Sequence, residues 1–380
     1  MPAVLVTGLG MVTALGPTAA TNWSRLIAQQ TGVCLRQPYA AFPPLPLGMV
    51  GKAPAQLDDL LAQALAEALA DAGLPPSLPD CGVVIGSSRS YQGRWEQMAM
   101  SWLTDQQSPK PEQWLGALPS MGAIAVAQSI EATGPVLAPM VACATGLTAI
   151  FQGAELIRQG QCDRVIAGAV EAPVTPLTLA GFQQMGALAN TGCYPFSPER
   201  EGLALGEGVA ILVLESAMAL AQRSGKPPYG QILGAGFRVD AHHRTAPDPN
   251  QIGSRLALSA CLHHSGLRPE AVDYVHTHGT GTVLNDAHEA RLLSEGFARP
   301  PAASSTKGAT GHTLGASGAI GAAFSLMALR HQQLPPNVCG QNDSIYPALV
   351  TRPTAAPISV ALCLSFGFGG QNAVLAVARP

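Results

Sequence analysis

The chain has 380 residues, of which 47% are hydrophobic and 12% charged, with a formal charge of −3. A charged fraction about half the usual ~25% implies a large buried interior under a thin polar coat and excludes a disordered chain. No Lys/Arg cluster is present to displace phosphate counterions, which excludes nucleic acid as partner, and no apolar run reaches the ~18 residues of a membrane span.

Along the chain, short β-branched runs alternate with Ala/Leu-rich stretches. Strands are predicted at Val4–Thr7, Val83–Gly86, Val136–Ala142, Val165–Ala169 and Val209–Leu214, then at Gln231–Phe237, Asp273–His276, Ala302–Thr306, Ile358–Ser365 and Ala373–Val377. Most are apolar throughout, as in a sheet covered by helices on both faces. The clearest helix is Leu57–Ala72, where leucines and alanines recur at three-four spacing and Gly73 supplies the stop. Further helices are predicted at Gly146–Arg158, Ser254–His264, Asp286–Phe297 and Ser317–Arg330. One layered α/β unit is thus used twice, joined at the polar, turn-rich Arg223–Pro228. The N-terminus has no basic region, so no signal peptide is expected. Cysteines 34, 81, 143, 162, 193, 261, 339 and 363 show neither CxxC nor zinc spacing. A reduced, cytoplasmic setting is expected.

Four segments carry candidate chemistry. In VACATGLTAI (Val141–Ile150) a strand-like run meets Cys143 just before a helix. A helix N-terminus lowers a thiol pKa and favours a nucleophile, though the same pattern also suits one of several core cysteines. In VHTHGTGTVLNDAHEA (Val275–Ala290) a strand ends at His278 in a loop with Thr280 and Thr282. Asp286 and Glu289 follow on one helical face, and a structural histidine in a threonine-stabilised turn is the alternative. SSTKGATGHTLGASGA (Ser304–Ala319) places Lys307, one of only four lysines, and His312 among small residues, either exposed or held in a pocket. LSFGFGGQNAVL (Leu364–Leu375) sets two phenylalanines among glycines, either mobile or anchored in the core.

These segments are collinear with VTGLGMVTALG (Val6–Gly16), PFSPEREGLALGEGVAILVLE (Pro195–Glu215) and SFGFGGQN (Ser365–Asn372). Together they strongly resemble the β-ketoacyl-acyl-carrier-protein synthases, the elongating class of thiolase-fold condensing enzymes. The resemblance implies an α/β, thiolase-like fold with two similar βαβαβαββ halves in five layers, α-β-α-β-α. Residues 1–225 would carry the nucleophile and 226–380 the histidine pair. It implies a 3-oxoacyl synthase of fatty-acid or polyketide elongation, acting by decarboxylative condensation of malonyl and acyl carrier-protein thioesters. Cys143 is then the nucleophile, and the backbone N–H groups of Cys143 and Phe368 form the oxyanion hole. His278 and His312 hold the enolate, and Lys307 orients His312. Asp286 and Glu289 support the network, with Glu289 the partner of Lys307. Thr280 and Thr282 bind the phosphopantetheine arm, and Phe368 gates the acyl pocket. No metal or organic cofactor is implied, because both substrates arrive on the phosphopantetheine of an acyl carrier protein. That carrier and a second subunit, identical or a related ketosynthase, are the expected partners, with no membrane.

The chain departs from the family pattern where Gln37–Gln56 is trimmed. Where carrier proteins usually meet basic residues, the helix Leu57–Ala72 carries Asp58, Asp59, Glu67 and Asp71. Arg200 keeps a basic family position, and the form HGTGT is commoner in polyketide-type ketosynthases. A chain-length-setting partner subunit is the alternative, but such partners usually lack the nucleophile and Cys143 is present. A degradative thiolase would want a thiol in the FGFGG loop, whereas Cys363 lies upstream on a strand. TGLG (Thr7–Gly10) lacks the third glycine of a dinucleotide fingerprint. His242/His243 and His263/His264 are adjacent pairs that point apart on a helix, and read as surface or loop residues rather than a metal site.

Overall fold

The computed structural model describes residues 2–106, 108–223, 225–338 and 343–380. Ten strands of the described residues form one sheet in two sets of five. The first set runs Val4–Thr13, Gly208–Ser216, Arg164–Glu171, Cys81–Gly86, Val136–Leu137; the second runs Gly230–Val239, Gln371–Ala378, Val360–Gly367, Tyr274–His276, Ala302–Ser304. Within each set the first two pairings are antiparallel and the last two parallel. The sets meet where Val4–Val6 pairs antiparallel with Gly230–Ile232. The repeated unit expected from the pattern of elements is thus visible as repeated topology.

Helices Thr145–Arg158 and Ser317–His331 both touch strands of both sets and form the middle layer. Ser317 through Leu329 are buried without interruption, which suits a helix covered on every side. Leu57–Ala72 and Met121–Ser129 pack on the outer face of the first set, and Ile252–His264 on that of the second. The result is the five-layered α-β-α-β-α arrangement. The helix Leu57–Ala72 matches its predicted bounds, buries the expected stripe and ends at Gly73 in the left-handed region, φ 66°.

The glycines of TGLG serve this packing. A Cβ on Gly10 would lie 1.9 Å from the Ala64 carbonyl oxygen, so only glycine lets the strand approach the helix so closely. Three of the helix's four acids are also held within the fold. Glu67 accepts from the Met11 N–H at 2.9 Å and the Ala19 N–H at 2.7 Å, Asp71 accepts from Leu9 at 3.1 Å, and Asp58 pairs with Arg94. They fasten the fold to itself.

Two expectations need correcting. The strand predicted at Val136–Ala142 stops at Leu137, because Pro139 removes a ladder donor. Helices Ala19–Ile27, Gln92–Asp105 and Pro176–Gln184 were not predicted; Ala19–Ile27 buries a short stripe, Ala19, Trp23 and Leu26 with polar Asn22 among them, whereas Gln92–Asp105 buries no residue fully. Among the described residues no helix is long and apolar enough to cross a membrane.

Candidate active site

Ala142 takes a positive φ of 45°, and Cys143 follows it on the turn that enters the helix Thr145–Arg158. Thr145 holds that turn, its hydroxyl donating to the Ala142 carbonyl at 2.7 Å and accepting from the Val141 N–H at 2.8 Å. Ser365 donates to the Cys143 carbonyl at 2.7 Å, linking the turn to the strand that leads into FGFGG. A Cβ on Gly146 would stand 2.4 Å from the Ala319 nitrogen, so the two central helices touch at their N-termini. This contact brings the thiol beside the His312 segment.

Cys143 Sγ lies 3.4 Å from His312 Nε2. The His278 and His312 rings meet edge to face with centroids 5.2 Å apart. One donor atom from each of Cys143, His278 and His312 falls within 4.8 Å of the others, the only such group of metal-capable side chains among the described residues. The donor set would suit a soft cation, but buried Lys307 adds positive charge to the same pocket.

The electrostatics differ from the sequence expectation in one respect. The thiol is pushed up to about 11 by burial, which outweighs the lowering by Lys307, Arg89 and the Phe368 backbone N–H. A helix N-terminus alone does not make this thiol acidic. Cys143 still keeps 9% exposure, so a substrate can reach it. Burial, followed by the charge of Lys307, holds both His278 and His312 well below the usual imidazole range. Both rings are therefore neutral at pH 7.

The loop after His278 is held by the two acids predicted to share a helical face. Glu289 accepts from the N–H groups of His278 at 2.6 Å and Gly279 at 2.7 Å. Asp286 accepts from Thr280 at 3.0 Å and Phe196 at 2.7 Å. The Thr280 and Thr282 hydroxyls are 2.9 Å apart and line the cavity. Lys307 Nζ donates to the His278 carbonyl, so its direct bond is to the other histidine and not to His312, as had been expected. Burial drives the Glu289 carboxyl up to about 7 and lowers Lys307, while the two charges favour each other's ionised form.

A cavity of about 320 Å³ opens onto Cys143, His278 and His312, with Thr280, Thr282 and Phe368 on its walls. Phe368 is 37% exposed and stacks on Phe182, ring centroids 6.0 Å apart. All nine predicted site residues therefore converge. Of the set-aside residues, Cys363 is buried with its sulfur 3.8 Å from His276 Nδ1. His242 and His243 lie exposed in a loop, His263 and His264 lie exposed at the end of a helix, as surface residues, and Cys339 falls outside the described residues. Sequence reasoning missed three residues. His288 lines the cavity and meets Phe366 edge-on at 6.0 Å. His276 bonds Thr306 at 3.1 Å. Glu171 is fully buried beside the His312 turn. A lone acid closing the apolar run VIAGAVE was the available signal for Glu171.

Known proteins resemble this chain over its whole length. Residues 52–219 match the model of the beta-ketoacyl synthase N-terminal domain and residues 229–341 that of the C-terminal domain. The chain is 32% identical to 3-oxoacyl-[acyl-carrier-protein] synthase 2 of Staphylococcus aureus (strain COL), over 98% of this chain and 97% of the relative. It is 33% identical to the protein of the same name from Coxiella burnetii, over 99% and 98%. A beta-ketoacyl synthase from Burkholderia phymatum superimposes with a TM-score of 0.90 at 27% identity over the whole of both chains. A chain from a type II polyketide ketosynthase complex with its acyl-carrier protein gives 0.92 at 26%, again over the whole of both chains. With full-length identity above 30% and both domain models matched, the chain belongs to the beta-ketoacyl synthase family.

Proposed function

We propose that the protein is a 3-oxoacyl-[acyl-carrier-protein] synthase, a condensing acyltransferase of fatty-acid or polyketide elongation. The observation that carries this reading is the thiol of Cys143 3.4 Å from a neutral His312, with His278 facing the same point. The Cys143 sulfur attacks the carbonyl of an acyl carrier thioester, and the phosphopantetheine thiol leaves with the proton. Malonyl thioester then enters along Thr280 and Thr282. Its C–CO₂ bond breaks, and the enolate oxygen accepts from the ring N–H groups of His278 and His312. The carbanion attacks the acyl carbon, the N–H groups of Cys143 and Phe368 hold the oxyanion, and collapse expels the Cys143 thiolate. No metal or organic cofactor enters this sequence. Lys307 and Glu289 hold His278 from opposite sides, Asp286 shapes the threonine loop, and Phe368 gates the acyl side.

A carrier protein is the partner this chemistry needs. A second subunit, a copy or a related ketosynthase, is supported by the exposed sheet edge Val136–Leu137, both side chains 38% exposed, and by exposed Trp95, Met100, Trp102, Leu103 and Trp114. The similar structures include a ketosynthase in complex with its chain length factor from Xenorhabdus doucetiae, at 27% identity, TM-score 0.85, over 100% of this chain and 98% of that one. A purely chain-length-setting role is disfavoured by the intact thiol and both imidazoles. A cytoplasmic site is supported by Cys34, Cys81, Cys143, Cys162, Cys261 and Cys363, none of which is in a disulfide.

The test is incubation with acyl carrier-protein thioesters and mapping of adducts by mass spectrometry. Acyl mass on Cys143, absent in Cys143→Ala, is expected. Acylation of a different cysteine, or none with any chain length, would overturn the reading.

A further inference from the structure

His312 sits on a turn that the chain alone does not favour. Leu314 adopts φ 42°, the left-handed region that non-glycine residues rarely occupy. That turn leans on a buried carboxyl from the other half of the protein. Glu171 ends the strand Arg164–Glu171 and is fully buried. Its Oε1 accepts from the N–H of Ser88, from the N–H of Arg89 at 3.2 Å and from the Ser87 hydroxyl at 3.1 Å. Ser88 Oγ in turn accepts from the Gly315 N–H at 3.2 Å. A Cβ on Gly315 would stand 2.6 Å from Glu171 Oε1, so carboxyl and turn are in direct contact. One residue earlier, the Leu314 N–H donates to His312 Nδ1 at 3.2 Å. The path from carboxyl to imidazole is thus Glu171, Ser88, Gly315, Leu314, His312. Nothing in the condensation steps consumes or transfers a proton at Glu171.

We propose that Glu171 is a positioning residue for His312, fixing through Ser88 and the Leu314–Gly315 turn the tautomer and aim of that imidazole. The proposal rests on the reading of His312 as an enolate-holding group, so it needs one readout that does not. Burial pushes the Glu171 carboxyl up to about 7, and its Oε2 makes no hydrogen bond. A glutamine can therefore replace it with its carbonyl in the place of Oε1 and keep all three accepted bonds. Alanine removes them.

The experiment compares Glu171→Ala, Glu171→Gln and Ser88→Ala in the full chain. Three quantities are read: acylation of Cys143, carbon dioxide release from malonyl carrier-protein, and the ¹⁵N shifts of the His312 ring. Glu171→Ala is expected to lower decarboxylation tenfold or more while acylation stays within threefold, and to shift the ring signals away from a pure Nε2–H form. Glu171→Gln is expected to restore both. If Glu171→Ala does not fold, Ser88→Ala carries the test with the same expected bias. Equal loss of both half-reactions, or unchanged ring signals in folded Glu171→Ala and Ser88→Ala, overturns the proposal. If the wild type releases no carbon dioxide, the reading of function has failed, and the ring signals alone still decide whether Glu171 positions His312.

Discussion

The Leu314 N–H donates to Nδ1 of His312, which leaves Nε2 as the protonated nitrogen, the one 3.4 Å from the Cys143 sulfur. A neutral ring so fixed offers one hydrogen-bond donor to the cavity. A glutamine places its amide N–H₂ near where Nε2 stood, and an asparagine cannot reach it. His312→Ala and His312→Asn should lose about 10²–10³-fold in malonyl decarboxylation, the usual cost of one oxyanion donor. His312→Gln should retain clearly more than either. Carbon dioxide release under single-turnover conditions measures the difference, and equal activity of Gln and Asn variants would refute the tautomer assignment.

The buried thiol makes a pH prediction. Burial disfavours the thiolate, so the Cys143 pKa rises from the ordinary 9.0 to about 11 and little anion is present at pH 7. Because only the anion reacts, alkylation by iodoacetamide should rise about tenfold per pH unit from pH 7 through 10, where a free thiol would level off near 9. A plateau below pH 8 would mean that the helix N-terminus overcomes burial after all.

Glu289 and Lys307 grip the His278 main chain from its N–H and its carbonyl. Glu289→Ala strands two buried N–H groups and the lysine's charge, and should cost about 3–5 kcal/mol in urea unfolding. Combining Glu289→Gln with Lys307→Met should cost less than the sum of the single changes, since no lone charge then stays buried. Strict additivity would show that the pair does not interact.

Phe368→Ala removes the ring stacked on Phe182 at the mouth of the cavity. Acyl transfer to Cys143 should suffer more than malonyl decarboxylation, as the ratio of the two rates under matched conditions will tell. An unaltered acylation rate would end the gating role.

Leu137→Asp puts a charge on the exposed edge strand. If the sheet continues into a second subunit there, sedimentation should report a shift toward monomer with the secondary structure retained. An unchanged sedimentation coefficient would move the interface elsewhere.

Much of the architecture was legible because the helix Leu57–Ala72 and the apolar strands repeat with clear periods. Cys143, His278 and His312 stood out through chemically unusual neighbours, small residues around a reactive group. Three things were hidden for physical reasons. The run from Val136 looked like a strand until Pro139 was weighed against hydrogen-bond donors. The thiol's environment depends on how deeply the middle layer is buried, which no local pattern encodes. Glu171 and Ser88 meet Gly315 across 144 and 227 residues of chain, so their partnership exists only in three dimensions.

Strand Val4–Thr13 finds its neighbours at Gly208–Ser216 and Gly230–Ile232. During synthesis at ~5–20 residues per second, this strand must wait on the order of 10–40 s for either neighbour to emerge. Until then an apolar ribbon is left with open edges, a hazard that long sequence separation makes slow to resolve. The nascent protein should lean on holding chaperones until those neighbours emerge.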